Sequence, residues 1–176
     1  MTDKPAYEFS QEVDLAKTAK DGRDYRLVAD AGARKRIAER LRVPSVEALS
    51  GQIHIAATRK AIFTRGSIQG RLTRECVVSL EEMPETIDDS FEVEFVRCAE
   101  DAPVEEDNAE NWHEPEAHRG TVFDIGELLV QQFSLALAPF PRKPGAVSLA
   151  QTYGEEKLSS PFSILQGKID KTEEKQ

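Results

Sequence analysis

The sequence has few of the features that identify a secreted or membrane protein. Its 176 residues include only two cysteines, Cys76 and Cys98, which is too few for a disulfide framework. No apolar run approaches the roughly 20 residues that a membrane-spanning helix requires. The N-terminus lacks the apolar stretch of a secretory signal. We therefore expect a soluble protein of the reducing cytoplasm, with no membrane partner.

Catalytic and metal-binding motifs are also scarce. His113 and His118 are five residues apart with Pro115 between them, whereas zinc proteases need two histidines four apart on one helical face. We interpret these histidines as incidental loop residues. His54, on a predicted strand, has no carboxylate partner that the sequence identifies. With no paired cysteines either, we expect a non-enzymatic protein without catalytic residues, cofactor or metal.

The charge that is present is sorted along the chain. Residues 1–80 hold 15 Lys/Arg against 10 Asp/Glu, residues 81–120 hold 2 against 15, and residues 121–176 hold 6 against 7. A basic first half followed by an acidic stretch suggests a surface that meets a polyanion, and a segment that competes with it. The net charge of −9 means that any RNA contact must be local and sensitive to salt.

The hydrophobic pattern predicts an α+β fold. Alternating apolar residues predict antiparallel strands within residues 6–15, 25–29, 52–58, 67–80, 87–95 and 121–123. A four-residue apolar repeat predicts a basic helix over residues 34–42. Asp124 and Glu127 have the spacing of a capping box and predict a second helix over 125–138, packed on the sheet. We expect about five or six strands in a twisted sheet, with an open barrel as the alternative.

Two segments fall outside this regular pattern. Residues 99–118 are acidic and poor in apolar side chains, so they predict a disordered loop inside a single domain at 1–146. Residues 147–176 predict a mostly flexible tail. Within the strand predicted at 67–80, Gly70, like Gly66 just before it, suggests a bend or bulge. Cys76 lies on the apolar side of that strand, which suggests a small core residue.

Basic side chains on the first helix have two interpretations. They form either a solvated helix surface or, together with basic residues of the strands, a patch that contacts phosphates. No exposed aromatic pair suggests base stacking, so an RNA contact would follow backbone and shape. The candidate nucleic-acid-binding residues are Arg34, Lys35, Arg36, Arg40, Arg42, Arg59, Lys60, Arg65, Arg71 and Arg74.

Two stretches of the sequence together point to a known family. One is Gly70-Arg71-Leu72 leading to residues 76–81, and the other is residues 124–137 followed by residues 139–146. The motif Ser160-Pro161-Phe162 supports them. In these stretches the chain resembles the YceD family of bacterial large-ribosomal-RNA-subunit accumulation proteins, in the form seen in alphaproteobacteria. The resemblance extends over roughly residues 6–168. Its family-motif residues here are Gly70, Cys76, Asp124, Glu127, Pro141, Arg142 and Lys143.

The resemblance implies a function in accumulation or maturation of large-subunit ribosomal RNA, with no enzymatic activity assigned. The implied partners are the large-subunit precursor, its ribosomal RNA or a basic ribosomal protein. Many relatives carry a second cysteine three residues after the Cys76 position and more cysteines after the last helix. This chain has Ser79 and residues 139–144 there, so metal binding is not transferred. The alternative function is a protein-only adaptor or chaperone that holds a basic ribosomal protein through the acidic loop.

Overall fold

The computed structural model describes residues 7–18, 20–98 and 116–147 of the chain. The elements are β1 (Glu12–Asp14), β2 (Arg23–Val28), α1 (Ala31–Leu41), β3 (Ser45–Ala57), β4 (Ala61–Glu75), β5 (Glu82–Cys98), β6 (Glu116–Arg119), β7 (Val122–Asp124) and α2 (Ile125–Ala136). The predicted α+β fold is confirmed. Within the described ranges, the larger sheet stays open and does not close into a barrel.

Three long strands form the centre of the larger sheet, whose order is β2-β3-β4-β5-β6. Neighbouring strands are antiparallel except β5 and β6, which run parallel. One prediction is corrected here: residues 116–118 were expected in the acidic loop, but they belong to strand β6. Residues 99–115 of the predicted loop lie outside the described residues. A second correction concerns residues 76–80, which form a turn after β4 and do not continue its strand. β1 and β7 form a separate antiparallel pair.

Helix α2 packs against the sheet at two glycines. A Cβ atom on Gly70 would lie 2.4 Å from Cε2 of Phe133, and one on Gly51 would lie 2.5 Å from Cδ1 of Leu129. Gly70 therefore serves close helix packing, because the ring occupies the volume that any other side chain would need. It is not a bulge as predicted: Gly70 and Gly66 pair regularly, and the irregularity of β3 and β4 lies between Val46 and Ala48.

Asp124 caps α2 as the sequence predicts. Its carboxylate accepts hydrogen bonds from the N–H groups of Gly126 at 3.0 Å and Glu127 at 3.1 Å. It also accepts from the backbone N–H of Gln11 at 2.9 Å and from the hydroxyl of Ser10, which ties the N-terminal segment to the start of the helix. The N-cap thus satisfies free N–H donors of α2 and positions the chain before β1.

Helix α1 begins at an N-cap residue, Asp30, whose carboxylate accepts from the N–H of Ala33 at 2.7 Å. It ends at Arg42, which adopts the left-handed conformation at φ 55°. Ile37 is fully buried, so the apolar repeat that predicts the helix also docks it against the core. No helix in the described part of the chain is long and apolar enough to cross a membrane.

The chain divides into two compact units. The first comprises residues 1–75 and 82–139, and the second comprises residues 76–81 and 140–176. The first unit contains both sheets and both helices. The described part of the second unit consists of residues 76–81 and 140–147. The predicted boundary between residues 146 and 147 stays a prediction.

Candidate binding surfaces

Two of the candidate arginines on α1 hold the helix to neighbouring backbone. Arg34 donates through Nη1 to the carbonyl oxygen of Ala29 at 2.8 Å. Arg36 donates through Nε and Nη2 to the carbonyl oxygen of Glu8, at 3.2 and 2.8 Å. These guanidinium groups therefore have structural partners within the first unit, which the sequence pattern did not indicate.

Arg40 is the most firmly held basic residue of α1. Its two terminal nitrogens form a bidentate ion pair with the carboxylate of Glu127 on α2, with both N–O distances at 2.8 Å. Nη1 also lies 2.8 Å from a carboxylate oxygen of Glu8. The hydrogen bonds that Arg40 donates to Glu127 are the main reason that the pKa of Arg40 is raised above its ordinary value. Because Glu127 is buried, Arg40 supplies the counter-charge that makes its burial tolerable.

This ion pair changes the interpretation of Glu127. In a capping box, the side chain at this position returns to the N–H of the N-cap residue. Here the Glu127 carboxylate instead accepts from Arg40 and from the side-chain amide of Gln131 at 3.2 Å. The prediction that Asp124 caps the helix is confirmed. The prediction that Glu127 completes a capping box was wrong, because Arg40 of α1 competes for the Glu127 carboxylate.

The other candidate basic residues lie in separate places. Arg74 is paired with Glu85 at 2.9 Å and donates to the carbonyl oxygen of Ala138 at 2.7 Å, close to the end of α2. Arg65 and Arg71 are exposed on the opposite face of the sheet, away from α2. The remaining exposed residues are Lys35 and Arg42 on and after α1, and Arg59 and Lys60 in the β3–β4 turn. The structure therefore does not gather the ten basic residues into one patch.

The sheet face opposite α2, hereafter the open face, contains a shallow groove of about 840 Å³. The strand register places Arg26, Gln52, Ser67 and Ser90 in one row across β2 to β5. The neighbouring row holds Asp24, His54, Arg65 and Glu92. The guanidinium groups of Arg26 and Arg65 make no hydrogen bond or ion pair with any described residue. These two rows of the open face are thus polar and able to donate hydrogen bonds to a ligand.

His54 has a carboxylate partner that sequence reasoning missed. Its Nδ1 lies 2.8 Å from Oδ1 of Asp24, which the register places directly opposite on β2. The ring also packs over Gly22, where a Cβ atom would lie 2.2 Å from Nε2. Gly22 has φ +81°, so its lack of a side chain serves both the turn and the ring. The only sequence signal for this pair was the alternation of both strands, which does not fix their register.

Three family-motif residues meet in the second unit. The backbone of Cys76 closes a turn, because its carbonyl accepts from the N–H of Leu80 at 2.9 Å and Leu80 adopts φ 58°. The thiol sulfur of Cys76 accepts from the N–H of Lys143 at 3.2 Å and from that of Ser79 at 3.5 Å. The N–H of Lys143, followed by hydrogen bonds from Ser79, lowers the pKa of Cys76 to about 6. Cys76 is therefore a buried hydrogen-bond acceptor as well as a small apolar residue.

Further contacts hold this turn to the segment after α2. Val77 donates its N–H to the carbonyl of Pro141 at 2.9 Å, and the ammonium of Lys143 lies 2.8 Å from the carboxylate of Glu81. Pro141 is buried and Arg142 is exposed. Nowhere in the described ranges do three His, Cys, Asp or Glu residues group as metal ligands would. The sulfur of Cys76 instead accepts from the backbone N–H groups of Lys143 and Ser79.

His118 lies on β6 rather than in a loop. Its ring is half-buried and makes an edge contact with Phe123, with ring centroids 5.0 Å apart. Burial lowers the pKa of His118. His113 lies outside the described residues. The geometry assigns His118 a packing role beside Phe123.

Comparisons with known proteins add no relative: no family model, curated protein or solved structure matches the chain.

Proposed function

We propose that the protein is a non-enzymatic ribosome-biogenesis factor that supports accumulation of large-subunit ribosomal RNA and binds RNA through the open face of its larger sheet. The observation that carries this proposal is the exposure of Arg26, Arg65 and Arg71 on that one face. Unlike Arg40 of α1, these three make no ion pair within 4 Å in the described part of the chain. The sequence resemblance supplies the biological context of the proposal.

The chemistry of the open face suits a sugar–phosphate backbone. Guanidinium groups pair with phosphate oxygens through charge-assisted hydrogen bonds, which fix position without reading bases. Gln52, Ser67 and Gln69 lie on the same face and add neutral hydrogen-bonding groups. We expect a contact that follows the RNA backbone on the β2–β4 part of the face, because the carboxylates of β5 repel phosphate.

The test compares two double variants that each remove two positive charges. Arg65→Gln/Arg71→Gln changes the open face, and Lys35→Gln/Arg42→Gln changes the surface of α1. Binding to a large-subunit ribosomal RNA fragment is measured by fluorescence anisotropy over a range of salt concentrations. We expect the open-face variant to bind more weakly and to reduce the slope of log K against log salt by about 1.4.

The helix variant is the matched control and is expected to keep the wild-type affinity and slope. Equal losses in both variants would show that RNA is held by general attraction to positive charge. A loss only in the helix variant would move the RNA contact to α1. No measurable binding by the wild-type protein to ribosomal RNA would contradict the proposal altogether.

A further inference from the structure

The longest strand of the larger sheet has an edge that the rest of the described chain leaves open. β5 runs over 17 residues, and β4 pairs with it from Glu82 to Val96. On its other side, β6 pairs only with Phe95–Cys98. Residues 82–94 of β5 therefore have no strand neighbour on that side among the described residues; this segment is the free edge.

Backbone hydrogen bonds show which groups face the free edge. Arg97 donates its N–H to the carbonyl of Lys60, on the β4 side of the strand. Since successive residues of a strand direct their backbone groups to opposite edges, odd-numbered residues bond to β4 and even-numbered residues face outward. The outward N–H of Ser90 is bonded to the carboxylate of its own neighbour, Asp89, at 2.8 Å. Pro84, which has no N–H, takes an outward position, where no bond to β4 is lost.

The free edge is strongly acidic. Its 13 residues contain no Lys or Arg and six carboxylates, which are Glu82, Glu85, Asp88, Asp89, Glu92 and Glu94. Glu92 and Glu94 are exposed on the open face, whereas partly buried Phe91 and Val93 lie on the helix-covered face. In a strand added at this edge, alternate side chains would lie on opposite faces of the sheet. Those on the open face would lie beside carboxylates, and those on the helix-covered face would lie beside apolar groups.

The negative charge of the free edge also determines which kind of strand can pair with it. A second copy of the same edge would bring like charges together, which is a known way in which proteins prevent edge-to-edge association. Nucleic acid would meet the same repulsion. A positively charged extended peptide would instead combine main-chain hydrogen bonds with ion pairs to the exposed carboxylates.

We propose that the free edge of β5 is a docking site for an extended segment of a partner protein in which basic and apolar residues alternate. The segment pairs with the outward backbone groups of Thr86, Asp88, Glu92 and Glu94. At Ser90, whose N–H is bonded to Asp89, it pairs with the carbonyl only. Its basic side chains lie beside Glu92 and Glu94, and its apolar side chains lie beside Phe91 and Val93. This docking site is independent of the proposed RNA contact, which uses arginines on β2 and β4.

The probe is a nine-residue peptide that alternates lysine and valine, titrated into the full-length, isotopically labelled protein. Two control peptides replace lysine by glutamate or methylate every backbone nitrogen. We expect binding of the lysine–valine peptide, with slowed hydrogen exchange at the amides of Thr86, Asp88 and Glu92. The glutamate peptide is expected not to bind, and the methylated peptide to bind at least tenfold more weakly, since it has no N–H donors.

Protein variants separate the charge from the backbone pairing. Glu94→Lys on the free edge is expected to weaken peptide binding roughly tenfold, whereas the matched Glu39→Lys on α1 leaves it unchanged. Thr86→Pro removes an outward N–H while keeping the β4 ladder, and it is expected to weaken binding about fivefold. Its urea unfolding curve, compared with that of the wild type, confirms that the variant is folded.

Three results would overturn this docking site. Undiminished binding of the methylated peptide would show charge attraction without strand addition. Protection confined to other amides would place the peptide elsewhere. If the outward amides of the free full-length protein exchange as slowly as those paired with β4, a segment of the chain itself covers the edge. Loss of RNA binding in the Arg65→Gln/Arg71→Gln variant, by contrast, bears only on the RNA contact.

Discussion

Arg40 of α1 and Glu127 of α2 form a bidentate ion pair that links the two helices, with N–O distances of 2.8 Å. Glu127 is buried, whereas the Arg40 side chain is about one-third exposed. A buried carboxylate with a bidentate guanidinium partner depends strongly on that partner. The ion pair therefore stabilises the fold, although the sequence made Arg40 a candidate RNA-binding residue.

Removing the cation of this pair is expected to destabilise the protein. Arg40→Ala leaves the Glu127 carboxylate buried without its main counter-charge and should lower the free energy of unfolding by about 2 kcal/mol, a value reduced for the exposure of Arg40. Urea denaturation measures this change. Lys35→Ala, an exposed residue of the same helix, is the control and should change stability by less than about 0.5 kcal/mol.

A double variant identifies the cause. In Arg40→Met/Glu127→Gln the uncompensated carboxylate is gone, so we expect a smaller loss of stability than the sum of the two single variants. Additive losses would show that the two side chains do not interact in solution. Charge reversal at Arg40 is likewise expected to lower stability, although Arg40 is one of the candidate RNA-binding residues of the sequence.

Gly70 provides a second test of the packing. Gly70→Ala places a Cβ 2.4 Å from Cε2 of Phe133 and should cost about 2 kcal/mol of unfolding free energy, because the ring or the helix must move. Thermal or urea unfolding measures the effect. Gly70→Ala/Phe133→Leu should be less destabilised than the sum of its single variants, because the smaller side chain makes room for the methyl group.

Gly32, in the first turn of α1, is the matched control. A Cβ there would lie 3.3 Å from Nη1 of Arg36, the end of a flexible side chain that can adjust. Gly32→Ala is therefore expected to raise stability by roughly 0.5 kcal/mol through helix propensity. Equal destabilisation at Gly32 and Gly70 would contradict the assigned packing role of Gly70.

The lowered pKa of the Cys76 thiol predicts that the stability of the folded protein depends on pH. Its pKa is lowered to about 6 in the folded protein and returns to about 8.5 on unfolding. Between these values the unfolded state binds more protons, so the stability contributed by this thiol rises with pH. It is fully present above about pH 8.5 and is lost as the pH falls through 6.

Thiolate absorbance near 240 nm measures this titration directly. The difference between wild type and Cys76→Ser isolates Cys76, because Cys98 is present in both proteins. We expect a midpoint near pH 6 in buffer and near 8.5 in concentrated urea. A midpoint near 8.5 in both conditions would mean that the N–H groups of Lys143 and Ser79 do not stabilise the thiolate.

Regular elements were predictable because their signals are local. The alternation in β3 to β5 and the N-cap at Asp124 are properties of short segments, and each is present in the structure. The turn at 76–80 was mistaken for strand because Cys76 and the residues after it continue the apolar alternation of β4. Periodicity alone reveals neither the end of β4 at Glu75 nor the left-handed Leu80 in the turn that follows.

Partners distant in sequence were not predictable. Arg40 and Glu127 are 87 positions apart, and Asp24 and His54 are 30 apart on neighbouring strands. Their pairing depends on helix docking and strand register, which one sequence does not fix. For the same reason, the sequence did not decide whether the basic residues form one patch. The structure engages some of them in ion pairs and leaves Arg65 and Arg71 exposed on the open face.

The most direct test of the proposed RNA contact is a pull-down of the tagged full-length protein from its native cytosol, with and without ribonuclease. The wild-type protein is expected to retain large-subunit ribosomal RNA, and ribonuclease and the Arg65→Gln/Arg71→Gln variant are each expected to remove it. Undiminished recovery of this RNA by the variant, or recovery only of a ribosomal protein that survives ribonuclease, would contradict the account.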